Sequence, residues 1–313
     1  MAVGTREDTR VHLRESSEED TSPLRIVGLS VPFPGAKRPL EEGEKLHMWK
    51  FVLMSGPRIA IPTADVYILG AWHPAYQDLL GLSTESKVGV LWTSSGGEMD
   101  FEPIEQEYLM RLLNDPRVSF VWFGDPALAQ VYPEKGFYAP YPLDVDSIKV
   151  DPHMEKKDIA TLFCPTGPKK NILNQLLAMK LVQRERKLTL HTNVQGYDVI
   201  LKSLDCVRHE WLPEVEYHEL LTSAKVNLAC SWCETFNYNV AEAALMGTVS
   251  VTSPTIPLMG MRVVEVNNPA HIAEKILEGC GAEYSDTLRT IREDLKIRNY
   301  ECKRILGERL SAL

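Results

Sequence analysis

Short, unbroken apolar runs recur along this chain, each followed after a polar turn by a segment with helical spacing. LRIVGLSV (24–31), DVYILG (65–70), KVGVLW (87–92) and VSFVWFG (118–124) come first. DIATLFCP, KLTLHT, VRHEWL, KVNLAC and TVSVTS follow in the second half. Strands that read as continuous rather than alternating hydrophobics are covered on both faces, which is the pattern of a parallel sheet between layers of helices. The intervening segments EQEYLMRLLN (105–114), ILNQLLAMKLVQRE (172–185), EVEYHELLTSA, VAEAALM and AHIAEKILEG supply those helices. TSSGGEMD, after the third run, reads as a polar loop.

The alternation is interrupted once. FYAPYPLDVDSIKV (137–150) is proline-rich and precedes the charged DPHMEKKD, so it reads as an interdomain linker. Two doubly wound α/β domains, 24–150 and 151–285, are therefore expected to face across a cleft. Residues 1–23 read as a disordered tail, poor in aromatics. Residues 286–313 read as one or two charged amphipathic helices that either pack on the second domain or cross back to the first.

Composition narrows the partners. The net charge is −9, and residues 1–24 carry three Arg against six Asp and Glu. No basic stripe is present, which disfavours nucleic acid. No apolar run approaches the ~18 residues of a membrane span, and the N-terminus lacks the pattern of a signal peptide, so the expectation is a cytoplasmic protein. The six cysteines include one C-x-x-C, Cys230 and Cys233, with no second pair to complete a zinc site. Reduced, structural thiols are expected.

Two stretches carry chemistry. In TGPKKN, Gly167 and Pro168 make a turn that places Lys169, Lys170 and Asn171 at a helix start. Cations there oppose the helix dipole unless an anion shares the site, so the loop is either an anion site or two solvated lysines. In ETFNYNVAEAALMGTVSV (234–251), Asn239 and Glu242 have the spacing of a capping box, and Gly247 is placed to end the helix in the left-handed conformation. That leaves Glu234 unexplained, in a loop at the carboxyl end of a strand, where such sheets bind ligands.

Glu234 and Glu242 fit E-x7-E, and ETFNYNVAEAALMGTVSVTS resembles the signature segment of retaining, nucleotide-sugar-dependent glycosyltransferases of the GT-B fold, family 4 type. YAPYPLDVD, CPTGPKKN and PEVEYHELLTSAKVNLACSWCE resemble further segments of that family in the same order. The likeness is firmest across 159–255. It implies a GT-B fold of two Rossmann-like domains and transfer of a sugar from a UDP- or GDP-sugar to the hydroxyl of a glycan, lipid or small molecule. Retention by front-face attack, with no metal and no bound cofactor, is implied too. Within it, Glu234 meets the donor sugar, Glu242 the ribose, and Lys170 the diphosphate, aided by Lys169, Gly167 and backbone N–H groups of Phe236, Asn237, Tyr238 and Asn239. Gly35 is the matching phosphate-loop glycine of the first domain.

The chain departs from the family at three places. The clamp Arg falls on Pro165, WTSSGG stands where many members have a His, and PFPGAK has a single glycine. Ser94, Ser95 and His73 are the remaining candidates for acceptor or sugar contacts. Asp144-Val-Asp146 resembles a metal-binding D-x-D but lies in the linker. A binding protein without transfer activity, and an epimerase or phosphorylase on the same fold, are the alternatives.

Overall fold

The computed structural model describes residues 26–29, 45–46, 49–50, 66–70, 82–101, 103–141, 143, 145, 155–164, 167–210, 212–258, 260–281 and 285–312. The chain divides into two compact units, one of Met1–Pro142 with Arg298–Leu313, the other Leu143–Ile297. Gly35, His73, Asp144, Asp146 and Pro165 lie outside the described residues, as does the N-terminal tail.

The first unit holds a five-stranded, all-parallel sheet. Its strands are β1 (Ile26–Leu29), β4 (Val66–Gly70), β5 (Lys87–Trp92), β6 (Val118–Phe123) and β7 (Gly136–Tyr138), in that spatial order. A small antiparallel pair, β2 (Lys45–Leu46) with β3 (Trp49–Lys50), stands apart. The continuous apolar runs became buried strands as expected: after exposed Lys87, every residue of β5 is buried. Helix α2 (Pro103–Asn114) lays Leu109 and Leu112, one helical turn apart, against them.

Two local expectations are corrected here. GGEMDF is a helix, α1 (Gly96–Phe101), because Ser95 and Glu98 form a reciprocal capping box. Ser95 N–H donates to Glu98 Oε2 at 2.8 Å, and Glu98 N–H to Ser95 Oγ at 3.2 Å. The presumed linker begins as β7, since Phe137 is buried against Phe120 and Trp122. Helix α3 (Pro126–Val131) is capped by Asp125. Gly124 admits Tyr141: a Cβ there would lie 2.0 Å from that ring, whose hydroxyl donates to Trp92 O at 2.7 Å.

The second unit holds a six-stranded parallel sheet in the order β10-β9-β8-β11-β12-β13. These are β8 (Lys157–Leu162), β9 (Thr189–Thr192), β10 (Cys206–Arg208), β11 (Ala224–Ala229), β12 (Val249–Thr252) and β13 (Met261–Arg262). The order runs outward from β8 in one direction, then reverses to β11. That is the doubly wound 3-2-1-4-5-6 arrangement, with its switch point between β8 and β11.

Helices α4 (Ile172–Glu185), α5 (Asp198–Leu201), α6 (Glu214–Ser223) and α7 (Tyr238–Leu245) connect these strands, and α8 (Pro269–Gly279) follows the last of them. Ile172, Gln175, Leu176, Met179 and Val182 form the buried stripe of α4 at three- and four-residue spacing. Each fully buried aliphatic in this core contributes about 1.5–3 kcal/mol. The last helix, α9 (Ser285–Ser311), is one continuous element, and its residues from Arg298 onward belong with the first unit. There Arg309 stacks over Phe137 at 5.2 Å. No described helix is long and apolar enough to cross a membrane.

Candidate functional site

The two strands flanking the switch point each end in one of the loops singled out above. After β8, Pro168–Lys170 form a single 3-10 turn entered through Gly167, whose carbonyl accepts from Lys170 N–H at 3.2 Å. Asn171 then adopts a left-handed conformation (φ 51°) and starts α4. Asparagine tolerates this because its short amide bonds locally. Here the amide donates to Val266 O at 2.7 Å and its oxygen accepts from Asn174 at 2.7 Å.

After β11, the chain passes through Ser231, Trp232 and Cys233 to Glu234. The two loops are laced together by backbone bonds. Trp232 N–H donates to Lys169 O at 2.8 Å. Gln175, buried on α4, accepts from Cys230 N–H at 2.9 Å and donates to Lys170 O at 2.8 Å.

This lacing brings Lys170 and Glu234 together in an ion pair whose side chains are 12% and 5% exposed. Lys170 Nζ donates to Glu234 Oε1, which also accepts from Ser231 Oγ at 2.8 Å and Asn237 Nδ2 at 3.4 Å. All three donors converge on one oxygen. Among the described residues, Oε2 of this nearly buried carboxylate has no donor.

Glu234 leads directly into α7. The cap of that helix is Asn237, whose side chain accepts from Val240 N–H at 3.1 Å, and not Asn239. The capping-box role expected of Glu242 is therefore corrected. Glu242 lies a turn inside the helix, too far along to reach the cap backbone, and its carboxyl meets the Tyr217 hydroxyl of α6 instead. Burial pushes Glu242 up to about 8, with Glu214 adding to the rise and the Tyr217 bond opposing it. Gly247 ends the segment with φ 73°, as expected. Phe236 and Tyr238 turn their rings inward, edge to face at 4.9 Å. Helix α7 begins at Tyr238, four residues after Glu234, and a helix N-terminus favours negative charge.

A ring cluster lies at the carboxyl ends of β8, β9 and β10. Phe163 sits 5.5 Å from Tyr217 and 5.7 Å from His209. His191 and His209 stack, with Nδ1 and Nε2 3.0 Å apart, and burial holds both below the ordinary imidazole range.

Sequence reasoning selected Lys169, Lys170, Glu234, Asn237 and Glu242, and the structure places them in the loops and helix start at this switch point. It missed Tyr217, Ser231 and Gln175. Ser231 had a local signal, three residues before Glu234; the other two act across long stretches of chain. Ser94 and Ser95 are buried at the end of β5 in the first unit, with the Ser95 hydroxyl engaged in its capping box. All six cysteines are free thiols, and burial pushes Cys230 up to about 12, so it stays protonated. Among the described residues, no group of three or more His, Cys, Asp or Glu could hold a metal ion.

No protein-family model and no curated protein matches the chain. Solved structures do. A UDP-forming α,α-trehalose-phosphate synthase from Burkholderia xenovorans, in complex with glucose-6-phosphate, matches with a TM-score of 0.61 at 12% identity, over 78% of this chain and 73% of its own. The E. coli trehalose-6-phosphate structure bound with UDP-2-fluoro glucose gives 0.60 at 10% identity, over 78% and 72%. The N-terminal domain of Candida albicans trehalose-6-phosphate phosphatase gives 0.59 at 10%, over 81% and 71%. At such identities the likeness speaks to architecture, and the chain has the GT-B fold built from two Rossmann-like α/β units.

Proposed function

We propose that this chain is a retaining hexosyltransferase that moves a sugar from a nucleotide-diphosphate sugar to an acceptor hydroxyl. The observation that carries the reading is the Lys170–Glu234 pair at the switch point, with one carboxylate oxygen left for a ligand and a helix N-terminus beside it. A sugar hydroxyl donating to Glu234 Oε2 would fix the donor, while Lys170, with Lys169 and the α7 amides, faces the diphosphate. In the step itself the anomeric C–O bond to phosphate breaks and the acceptor oxygen bonds the same carbon on the same face. The acceptor proton passes to the departing phosphate oxygen. Negative charge grows on that phosphate, and a preorganised cation and dipole stabilise it without reorganising. No second carboxylate is needed, unlike in a retaining glycosidase. The proposed reaction uses no metal and no bound cofactor.

The structural neighbours include a UDP-forming enzyme and a UDP-2-fluoro glucose complex, so UDP-hexoses are the donors to test first and GDP-sugars second. Thermal unfolding of the full chain with a panel of these donors reads binding, since a ligand at 100 times its Kd stabilises by about 2.7 kcal/mol. Nucleoside diphosphate release with candidate acceptors reads transfer. Stabilisation by one donor, with release that requires an acceptor, is the expected result. A free sugar isomer formed without acceptor would make the protein an epimerase, sugar phosphate formed with inorganic phosphate a phosphorylase, and binding without release a non-catalytic receptor. No stabilisation by any donor would overturn the reading altogether.

A further inference from the structure

A line of polar side chains runs from inside the second sheet to Glu242, and nothing in the transfer step uses it. Thr161 on β8 and Asn227 on β11 are fully buried, and Thr161 Oγ1 donates to Asn227 Oδ1 at 3.0 Å. The Asn227 amide donates to Ser250 Oγ at 2.9 Å and to Asn239 Oδ1 at 2.7 Å. Asn239, in the first turn of α7, donates in turn to the Tyr217 hydroxyl oxygen at 2.6 Å. That hydroxyl is bonded to the Glu242 carboxyl.

Donor and acceptor counting sets the direction of this line. An asparagine side chain donates only through nitrogen, so the bonds from Asn227 and Asn239 run one way. The Tyr217 oxygen is already an acceptor, and its single proton points at Glu242. Phe163 packs on the ring edge to face at 5.5 Å, which limits its movement. One lone pair of the Glu242 carboxyl is thus engaged by a residue on another helix.

We propose that Tyr217 is a positioning residue: its hydroxyl orients Glu242 towards the vicinal hydroxyls of the nucleotide's ribose and so sets a preference for ribonucleotide over deoxyribonucleotide donors. The proposal rests on the nucleotide-sugar reading above, together with the family resemblance that gives Glu242 the ribose. Burial disfavours charge on Glu242, so hydrogen bonds rather than ion pairing hold it in place.

The test is calorimetric titration of the full chain, and of its Tyr217→Phe and Glu242→Gln variants, with UDP, GDP and their 2′-deoxy and 3′-deoxy forms. The unaltered protein should prefer the ribonucleotide by roughly tenfold or more, the scale of one hydrogen bond to a poised carboxyl. Tyr217→Phe should lower that ratio to about threefold or less. With a donor that turns over, its KM should rise while kcat holds, the mark of an interaction kept from ground state to transition state. A Tyr217→Phe variant that binds every nucleotide more weakly but keeps the ratio overturns the proposal, since a purely structural role predicts that.

Asn239→Ala, which removes the donor that orients Tyr217, provides the same readout should Tyr217→Phe not fold, and it should shift the ratio the same way. If Glu242→Gln keeps the full ratio, the ribose reading of Glu242 fails and the proposal with it. If Glu242→Gln loses the ratio but Tyr217→Phe and Asn239→Ala keep it, the proposal alone fails. A protein that binds neither UDP nor GDP overturns both.

Discussion

Replacing Lys170 with methionine should damage stability and turnover for separable reasons. The side chain keeps its length, but Glu234, 5% exposed, then holds an uncompensated charge. Breaking a buried pair from one side costs about 3–5 kcal/mol. The Ser231 hydroxyl at 2.8 Å remains and offsets about 1 kcal/mol, while Asn237 at 3.4 Å is too long to contribute much. The net loss should be about 2–4 kcal/mol, read by urea denaturation followed by tryptophan fluorescence. Turnover should fall by a further factor of about 10²–10³, the cost of removing one preorganised group facing developing charge.

The double variant Lys170→Met with Glu234→Gln separates the two effects. With both charges gone, stability should return to within about 1 kcal/mol of the unaltered protein, so the single losses are strongly non-additive. Turnover, measured as acceptor-dependent nucleoside diphosphate release, should stay lost. A Lys170→Met protein within about 0.5 kcal/mol of the original would refute the electrostatic account of the pair. Recovery of turnover in the double variant would show that Lys170 serves only to hold Glu234, and the leaving-group role would fall.

Glu242 should leave a signature in the pH dependence of stability. Its folded value, about 8, lies above that of the unfolded chain, so the folded state alone keeps the proton between about 4.5 and 8. Stability contributed by that proton is present at low pH and lost as pH rises through this window. His191, His209 and His218, all lowered by burial, act oppositely below about 6.5. The cleanest interval is therefore pH 6.5–8, where the fall should be at most roughly 2 kcal/mol. Denaturation across that interval should show the fall flattened in Glu242→Gln; an unchanged slope would assign it elsewhere. Lys156, pushed down to about 8 by burial, adds stability only above that pH. At Gly247 an added Cβ meets nothing within 4 Å, but φ is 73°. Gly247→Ala should therefore cost about 1–2 kcal/mol through backbone conformation alone, and a neutral result in urea denaturation would contradict the left-handed end of α7.

The fold was legible wherever local pattern and tertiary role agreed. KVGVLW and ILNQLLAMKLVQRE are elements with the expected ends, because their apolar spacing matches the surfaces they bury. GGEMDF was not legible, since two glycines hid a helix that the Ser95–Glu98 box stabilises from its first turn. Phe137 and Tyr138 read as linker because so short a stretch shows no period, and their strand character comes from pairing with β6. The cap of α7 moved two residues, from one asparagine to another, and local chemistry alone does not choose between Asn237 and Asn239. Packing does: Asn239 is already engaged by Asn227 and Tyr217. Resemblance to a known motif singled out Lys170 and Glu234 for separate roles; their ion pair, across 64 residues of chain, had no signal in local spacing.

Gln175 has a consequence for how such a site changes over time. It grips the peptide groups of Cys230 and Lys170, while the Trp232 amide reaches the Lys169 carbonyl. What is held at positions 169, 230 and 232 is main chain, which every residue except proline offers in full. Letters at those positions can drift without loosening the geometry, provided each new side chain fits its surroundings. Information about the site's shape is concentrated instead in one buried glutamine that belongs to neither loop. A chain built this way can share an architecture at a TM-score of 0.61 with a protein to which it is only 12% identical in sequence.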